Sequence, residues 1–186
     1  MIKRIIDIVL AIILLIISFP VIIISIILVF FEDGFPIFYF SKRVGKNMSI
    51  FTMPKIRTMY KNVKEIETSK FKSHRMITKI GKILRKFSID ELPQLISVII
   101  GDMSIVGYRP SLESQTELNH LRKEREIFLD KPGITGIAQI KGRDNISDKK
   151  KVRYELFYRK KKSFILDIII ILRSFKVIIK STDVKH

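Results

Sequence analysis

Cysteine is absent from the chain, which excludes a disulfide framework and thiolate-held zinc and permits a reducing compartment. Histidine is nearly absent: His74, His120 and His186 lie too far apart in sequence to suggest a local metal cluster. There is no G-x-x-x-x-G-K-[ST] loop and no G-x-G-x-x-G fingerprint, so the standard nucleotide-binding folds find no support. Acidic residues are few beside basic ones, 18 against 35, for a formal charge of +17. Such a polycation seeks phosphate on anionic lipid, nucleotide or nucleic acid, and charge alone does not choose among them.

What is present is apolar: 47% of the 186 residues are hydrophobic, a share that coexists with +17 only if the two kinds are segregated along the chain. The length suits one domain with appendages. From Ile8 to Phe31 no residue is charged. As a helix, these roughly 24 positions would reach the thickness of a hydrocarbon core. The run is too long for a cleaved signal peptide, and no small-x-small site precedes Glu32. Pro20, behind Ser18 and Phe19, removes a backbone donor in mid-run, so the helix is expected to kink or break there. Lys3 and Arg4 precede the run and Lys42, Arg43 and Lys46 follow it, which gives no charge asymmetry. A single kinked span and a re-entrant hairpin with both ends on the cytoplasmic side both fit.

Beyond Gly34, Phe35 to Phe40, the turn-like Val44 to Asn47 and Ser49 to Met53 predict a short β-hairpin. Lys55, Arg57 and Thr58 follow Pro54, as solvated loop charges or facing a phosphate. Tyr60 to Arg75 reads as a polar loop or weak helix. Ile80, Ile83, Leu84 and Phe87 fall at helical spacing among Lys79, Lys82, Arg85 and Lys86, a basic amphipathic helix. It suits a membrane surface or a core-facing helix with a solvated side.

Ser88 to Gln94 then sets two adjacent carboxylates, Asp90 and Glu91, between that basic segment and the apolar Leu92, Leu95, Ile96 and Ile99. Ser88 and Glu91 match a capping box, but Pro93 disturbs it; a helix start with Asp90 as N-cap, or with Leu92 before a first-turn proline, fits better. The pair is also the candidate reaction centre. Gly101 to Ser104 and Gly107 to Pro110 carry the glycines, hydroxyl and guanidinium of an anion-binding turn, a weak signal. Ser111 to Asp130 reads as a polar helix. Lys131 to Gly136 and Gly142-Arg143 are further glycine turns with cations. Basic residues from Lys149 to Lys162 interleave with Tyr154, Phe157 and Tyr158, which keeps nucleic acid as an alternative partner. Phe164 to Ile179 is apolar but interrupted by Asp167, Arg173 and Lys176, and suits a helix in the interface or packed on the domain.

Taken together, the ordered blocks resemble the bacterial sugar transferase family, the monotopic phosphoglycosyl transferases that act on polyprenyl phosphate. The blocks are Lys3-Arg4-x-x-Asp7, the proline-interrupted apolar segment, Lys55-x-Arg57-Thr58-Met59, Arg85 with Ser88 to Leu95, Gly101 to Ser104, Gly107-x-Arg109-Pro110, Pro132 to Gly136, Gly142-Arg143, and Ser163 to Asp167. The length resembles that of the minimal members. The resemblance implies an α+β, mainly helical fold. Residues 1–32 would form a re-entrant helix-break-helix with its break at Ser18, Phe19 and Pro20, and residues 33–186 a cytoplasmic catalytic domain with a hairpin and interfacial amphipathic helices.

It further implies transfer of a phosphosugar from a UDP-sugar to polyprenyl (undecaprenyl) phosphate, with release of UMP, at the cytoplasmic face of a bacterial inner membrane. Asp90 would be the nucleophile of a covalent phosphosugar intermediate, and Glu91 would assist and share a Mg2+ site with it. Lys55, Arg57, Thr58, Arg85, Arg109, Lys131 and Arg143 would contact phosphate or substrate. Anionic phospholipid would be a partner, and no nucleic acid is expected. Three positions depart from the family pattern. Phe19 replaces a hydroxyl residue before the proline, Tyr108 stands where proline is usual, and Lys131 replaces an arginine, losing its forked geometry. The competing reading is a non-enzymatic, membrane-anchored module that binds anionic lipid or nucleic acid and is indifferent to Asp90.

Overall fold

The computed structural model describes residues 2–61, 76–142 and 145–180, the side chains of 178–180 excepted. The fold is mainly helical, with two small two-stranded sheets. The apolar run becomes one helix, α1 (Ile2–Asp33). Ser18, Phe19 and Pro20, expected at a break, lie inside that continuous helix; the Ser18 hydroxyl bonds back to the Leu15 carbonyl at 3.3 Å. Asp7, Ala11, Ile22, Ser25 and Val29 are buried at helical spacing, so a single stripe faces the domain along the whole length while most other apolar side chains are exposed. Gly34, with φ +62°, ends the helix, its amide bonding the Phe30 carbonyl at 2.8 Å.

The hairpin forms as expected: β1 (Phe38–Val44) pairs antiparallel with β2 (Ile50–Ile56), from Phe38 opposite Ile56 to Val44 opposite Ile50. The turn is tight, with Lys46 O accepting from Ser49 N at 3.0 Å and with Asn47 and Met48 both left-handed. Buried Phe51, Met53 and Ile56 on β2 join the core.

The basic amphipathic segment is α2 (Lys79–Lys86), capped by the Thr78 hydroxyl, which accepts from Gly81 N at 2.8 Å. Glu32, from the end of α1, accepts from the amides of Lys79 and Ile80 at 2.6 and 3.0 Å, a carboxylate at a helix amino end. A Cβ at Gly81 would lie 2.2 Å from Thr58 O, so only glycine lets α2 sit against the strand end. Leu84 packs with Val29, Ile37 and Ile56 beneath that end of α1.

A 3-10 turn (Ile89–Glu91) leads to α3 (Gln94–Ile100). Helix α3 starts at Gln94 after Pro93, so Asp90 is not its N-cap, and Ser88 is left-handed with no capping bond. Leu95 and Val98 of α3, Met103 and the Ala11 region of α1 form the largest core cluster.

Ser111 to Asp130 is not one helix. Only α4 (Thr116–Glu124) forms before a second 3-10 turn. The preceding residues have other partners: Val44 N bonds Ser111 O at 2.9 Å, Ser111 Oγ donates to Asn119 Oδ1, and the Gln115 side chain accepts from Leu112 N. The glycine turns, read in the sequence as anion-binding turns, also have a structural part. They build a parallel pair that the sequence did not announce, β3 (Ser104–Val106) against β4 (Gly133–Thr135). A Cβ at Gly133 would fall 2.0 Å from Gly107 N, and Gly107 N donates to Thr135 O at 2.8 Å, so these glycines serve close backbone approach. Tyr108 is buried edge-on to Phe128 at 5.6 Å.

The chain ends in α5 (Ile137–Ile140), α6 (Asp148–Lys161) and α7 (Phe164–Lys180). Ile170 of α7 is in the core while Phe164, Ile165, Leu172 and Phe175 stay exposed. Residues 62–75, which hold most of the expected polar loop, lie outside the described residues.

The amino end of α1 is tied down by the Lys3, Arg4 and Asp7 block. Lys3 pairs with Asp167 at 2.7 Å, and Arg4 donates to the carbonyls of Val98 and Ile99 at 2.5 and 2.9 Å. Buried Asp7 accepts from Ser104 Oγ at 2.7 Å and Ile105 N at 3.3 Å. Tyr158 donates to the other Asp167 oxygen at 2.6 Å, so α1, β3, α6 and α7 share one polar junction.

Candidate active site

Asp90 and Glu91 sit in the 3-10 turn between α2 and α3, under the strand end that carries Lys55. Asp90 is buried. Its carboxyl is pushed above the usual range chiefly by burial and also by the Glu91 charge, while Lys55, Arg85 and Arg109 pull it back down. Glu91 organises two of these cations: its Oε1 accepts from Lys55 Nζ at 3.0 Å and from Arg109 Nη2 at 3.1 Å. Arg85 is held from another side, its Nε donating to Thr58 Oγ1 at 2.8 Å. Burial lowers the Arg85 pKa, with the Asp90 and Glu91 charges opposing that shift. Three cations from β2, α2 and the segment after β3 thus converge on two neighbouring carboxylates.

Of the remaining expected contacts, Thr58 joins this cluster through Arg85, while Arg57 and Lys131 lie apart from it. Arg57 is buried and turned to the end of α1, where Nη2 donates to the carbonyls of Asp33 and Gly34 at 3.1 and 2.7 Å and Nη1 lies 3.1 Å from Asp33 Oδ2. It closes the carboxyl end of α1. Thr58 acts on Arg85. Lys131 lies at the other end of the hairpin with Lys46, Gly101 and Asp102. Arg143 is outside the described residues. Sequence reasoning gave no site role to Lys46 or Arg4, although the cationic Gly45-Lys46-Asn47 turn was a visible signal.

Among the described residues no three His, Cys, Asp or Glu side chains gather as a metal cage. Asp90 and Glu91 nevertheless offer two adjacent hard oxygen ligands. That donor set fits Mg2+, which binds through one or two carboxylates and completes its shell with substrate phosphates and water. Chemically, the cluster can expose a carboxylate nucleophile in a field of fixed cations that lowers the repulsion between it and a phosphate.

Comparison with known proteins identifies the family. The model of the family described as bacterial sugar transferase matches residues 1–181. The chain is 35% identical over 193 residues to the exopolysaccharide production protein ExoY of Sinorhizobium fredii, covering 95% of this chain and 84% of that protein. It is 40% identical over 168 residues to the galactosyl transferase CpsE of Streptococcus agalactiae, with 83% of this chain and 37% of the relative covered. With the undecaprenyl-phosphate galactose phosphotransferase of Salmonella typhimurium it shares 34% identity over 194 residues, 96% of this chain and 40% of that protein. The chain thus spans well under half of the two longer relatives and most of the shorter one. It belongs to the bacterial sugar transferase family and is an enzyme of the transferase class.

Proposed function

We propose that this enzyme transfers a phosphosugar from a UDP-sugar to polyprenyl (undecaprenyl) phosphate, giving a polyprenyl-diphosphate sugar and UMP, as the first membrane step of a bacterial glycan pathway. The observation that carries the reading is buried Asp90 beside Glu91 with Lys55, Arg85 and Arg109 acting on its charge. In the first step an Asp90 carboxylate oxygen attacks the sugar-side phosphorus. The bond to the UMP oxygen breaks and UMP leaves with the electron pair, so that an aspartyl phosphosugar forms. In the second, an oxygen of the polyprenyl phosphate attacks the same phosphorus and Asp90 departs as carboxylate. Glu91 keeps Lys55 and Arg109 aimed, and Thr58 does the same for Arg85; these cations stabilise charge on the transferring group. Asp90 and Glu91 would hold Mg2+, which when bound adds positive charge at the diphosphate.

The enzyme works at the inner membrane with its site on the cytoplasmic face. Helix α1 has the length and apolarity of a span. Its buried stripe continues from Asp7 and Ala11 to Val29, so both halves pack on the same domain. At about 1.5 Å per residue the helix exceeds a ~30 Å hydrocarbon core, and a perpendicular span would drag the domain into lipid. This weighs against a perpendicular span; the re-entrant path we propose requires this continuous helix to bend at Pro20 in the membrane. The test is purified protein with Mg2+, undecaprenyl phosphate and a panel of UDP-sugars, assayed for UMP. Turnover of one donor that disappears in Asp90→Asn is expected; no turnover of any donor, or full activity of Asp90→Asn, overturns the reading.

A further inference from the structure

At the hairpin end remote from the dyad, the tight turn, the carboxyl end of α3 and the segment before β4 enclose an open concavity of about 310 Å3, whose lining includes Lys46, Asn47, Phe51, Gly101, Asp102 and Lys131. Along β2, Phe51 in the lining and Lys55 at the dyad are separated by about 13 Å at ~3.3 Å per residue, so this is not the dyad site. Gly101 has φ +112°, and the point its Cβ would occupy lies 3.2 Å from Arg4 Nη2 and 3.6 Å from Lys131 Nζ. Two cations therefore reach toward one spot, and exposed Lys46 lines the same hollow. Among the described residues, Asp102 is the one carboxylate in the lining. The Lys131 ammonium is held below its ordinary pKa by burial and then by Arg4 and Lys46, which Asp102 opposes.

The surroundings indicate the depth of the hollow. Arg4 lies in the first turn of α1, just before the uncharged run. Ile100 beside Gly101, and Met48 and Ile50 beside the lining turn residues, are 68%, 43% and 45% exposed. Met48 holds its outward position at φ +62°, a conformation that favours glycine in such turns. A basic hollow with an apolar rim at the start of a membrane helix fits a head group whose acyl chains continue along that rim. Asp102 selects the phosphate type. It opposes a nearly dianionic phosphate monoester, whereas a singly charged phosphodiester keeps the two lysines and can offer Asp102 a hydroxyl.

We infer that this concavity is a second phosphate site, filled by the phosphodiester head group of an anionic bilayer phospholipid, with Lys46 and Lys131 on the phosphate and Asp102 on a head-group hydroxyl. The inference rests on the membrane placement proposed above and not on the chemistry at Asp90.

The experiment is a thermal-shift titration of the full chain in detergent micelles with short-chain phosphatidylglycerol, phosphatidylcholine, inorganic phosphate or UMP. Phosphatidylglycerol is expected to raise the unfolding temperature more than the other three. Lys131→Gln and the exposed-turn variant Lys46→Glu should each raise its half-saturating concentration about tenfold. Asp90→Asn should keep the wild-type lipid response, so failure here and failure of the transferase reading are separate outcomes. Half-saturation within about twofold of wild type in Lys46→Glu overturns the site. An equal shift with inorganic phosphate or UMP overturns its assignment to lipid. Should Lys131→Gln fail to fold, Lys46→Glu carries the test alone.

Discussion

Two charge clusters in this molecule use the same side-chain chemistry to opposite ends. Around Asp90 and Glu91, three cations meet two carboxylates, and the partners keep some exposure, with side chains 17% exposed for Lys55, 14% for Glu91 and 36% for Arg109. Between α4 and α6, Arg122 meets Glu155 in a two-pronged pair at 2.9 and 2.5 Å, with side chains only 1% and 3% exposed. The Arg122 guanidinium also stands 5.0 Å over the Tyr108 ring. The closed pair is balanced and leaves no approach for a ligand. The dyad cluster sets three cations against two carboxylates, with Asp90 itself buried and its partners partly exposed. The lesson is that charge balance and exposure, more than the presence of ion pairs, distinguish a candidate site from a structural clamp.

Removing the nucleophile should separate the two most sharply. Asp90→Asn is expected to lower UMP release by about 10^4-fold or more while leaving the unfolding temperature at or slightly above wild type, because a buried carboxyl is neutralised without change of shape. Loss of stability in step with activity would make Asp90 structural. The mirror experiment is Arg122→Ala, which leaves Glu155 buried and unpaired; chemical denaturation should show a loss of about 3–5 kcal/mol. Replacing both partners, Arg122→Met with Glu155→Leu, should recover most of that loss, and a double variant as unstable as the single would contradict the clamp reading. Arg109→Ala should reduce kcat/KM about 10^2-fold with stability nearly unchanged, and Lys55→Ala should behave alike, since each removes one charge aimed by Glu91. The smallest effect is expected from Thr58→Val. It deletes the hydroxyl that orients Arg85 at a cost of about 1 kcal/mol, seen as a five- to tenfold fall in kcat/KM.

The parts of the fold that were legible in the sequence were those with a local cause. Two short apolar stretches around a turn-like segment gave the hairpin, and Ile80, Ile83, Leu84 and Phe87 gave α2. The helix expected from Ser111 to Asp130 was shortened because Ser111 pairs with Val44 and Asn119, partners that no local pattern reveals. Gly107 and Gly133 read as loop glycines, yet their backbones press together in the β3–β4 pair, a contact between segments far apart in the chain. Arg57 illustrates the same limit at the site. Two residues after Lys55 it looked like a second phosphate ligand, but β2 ends at Ile56, and Arg57, just past the strand, turns to the carbonyls closing α1.

By itself, the sequence determined that a long apolar helix is joined to a strongly basic remainder and that two carboxylates lie side by side at Asp90 and Glu91; its excess charge made phosphate the expected partner. Each of these follows from composition and short-range spacing, which act before any folding. Only the tertiary structure decided which of the many cations serve the dyad. Lys55, Arg85 and Arg109 come from three separate segments and are aimed by Glu91 and Thr58, whereas Arg57 and Lys131 are carried elsewhere. The reason is physical: ion pairing is short-ranged and directional, so its partners are fixed by packing between distant elements and not by order along the chain.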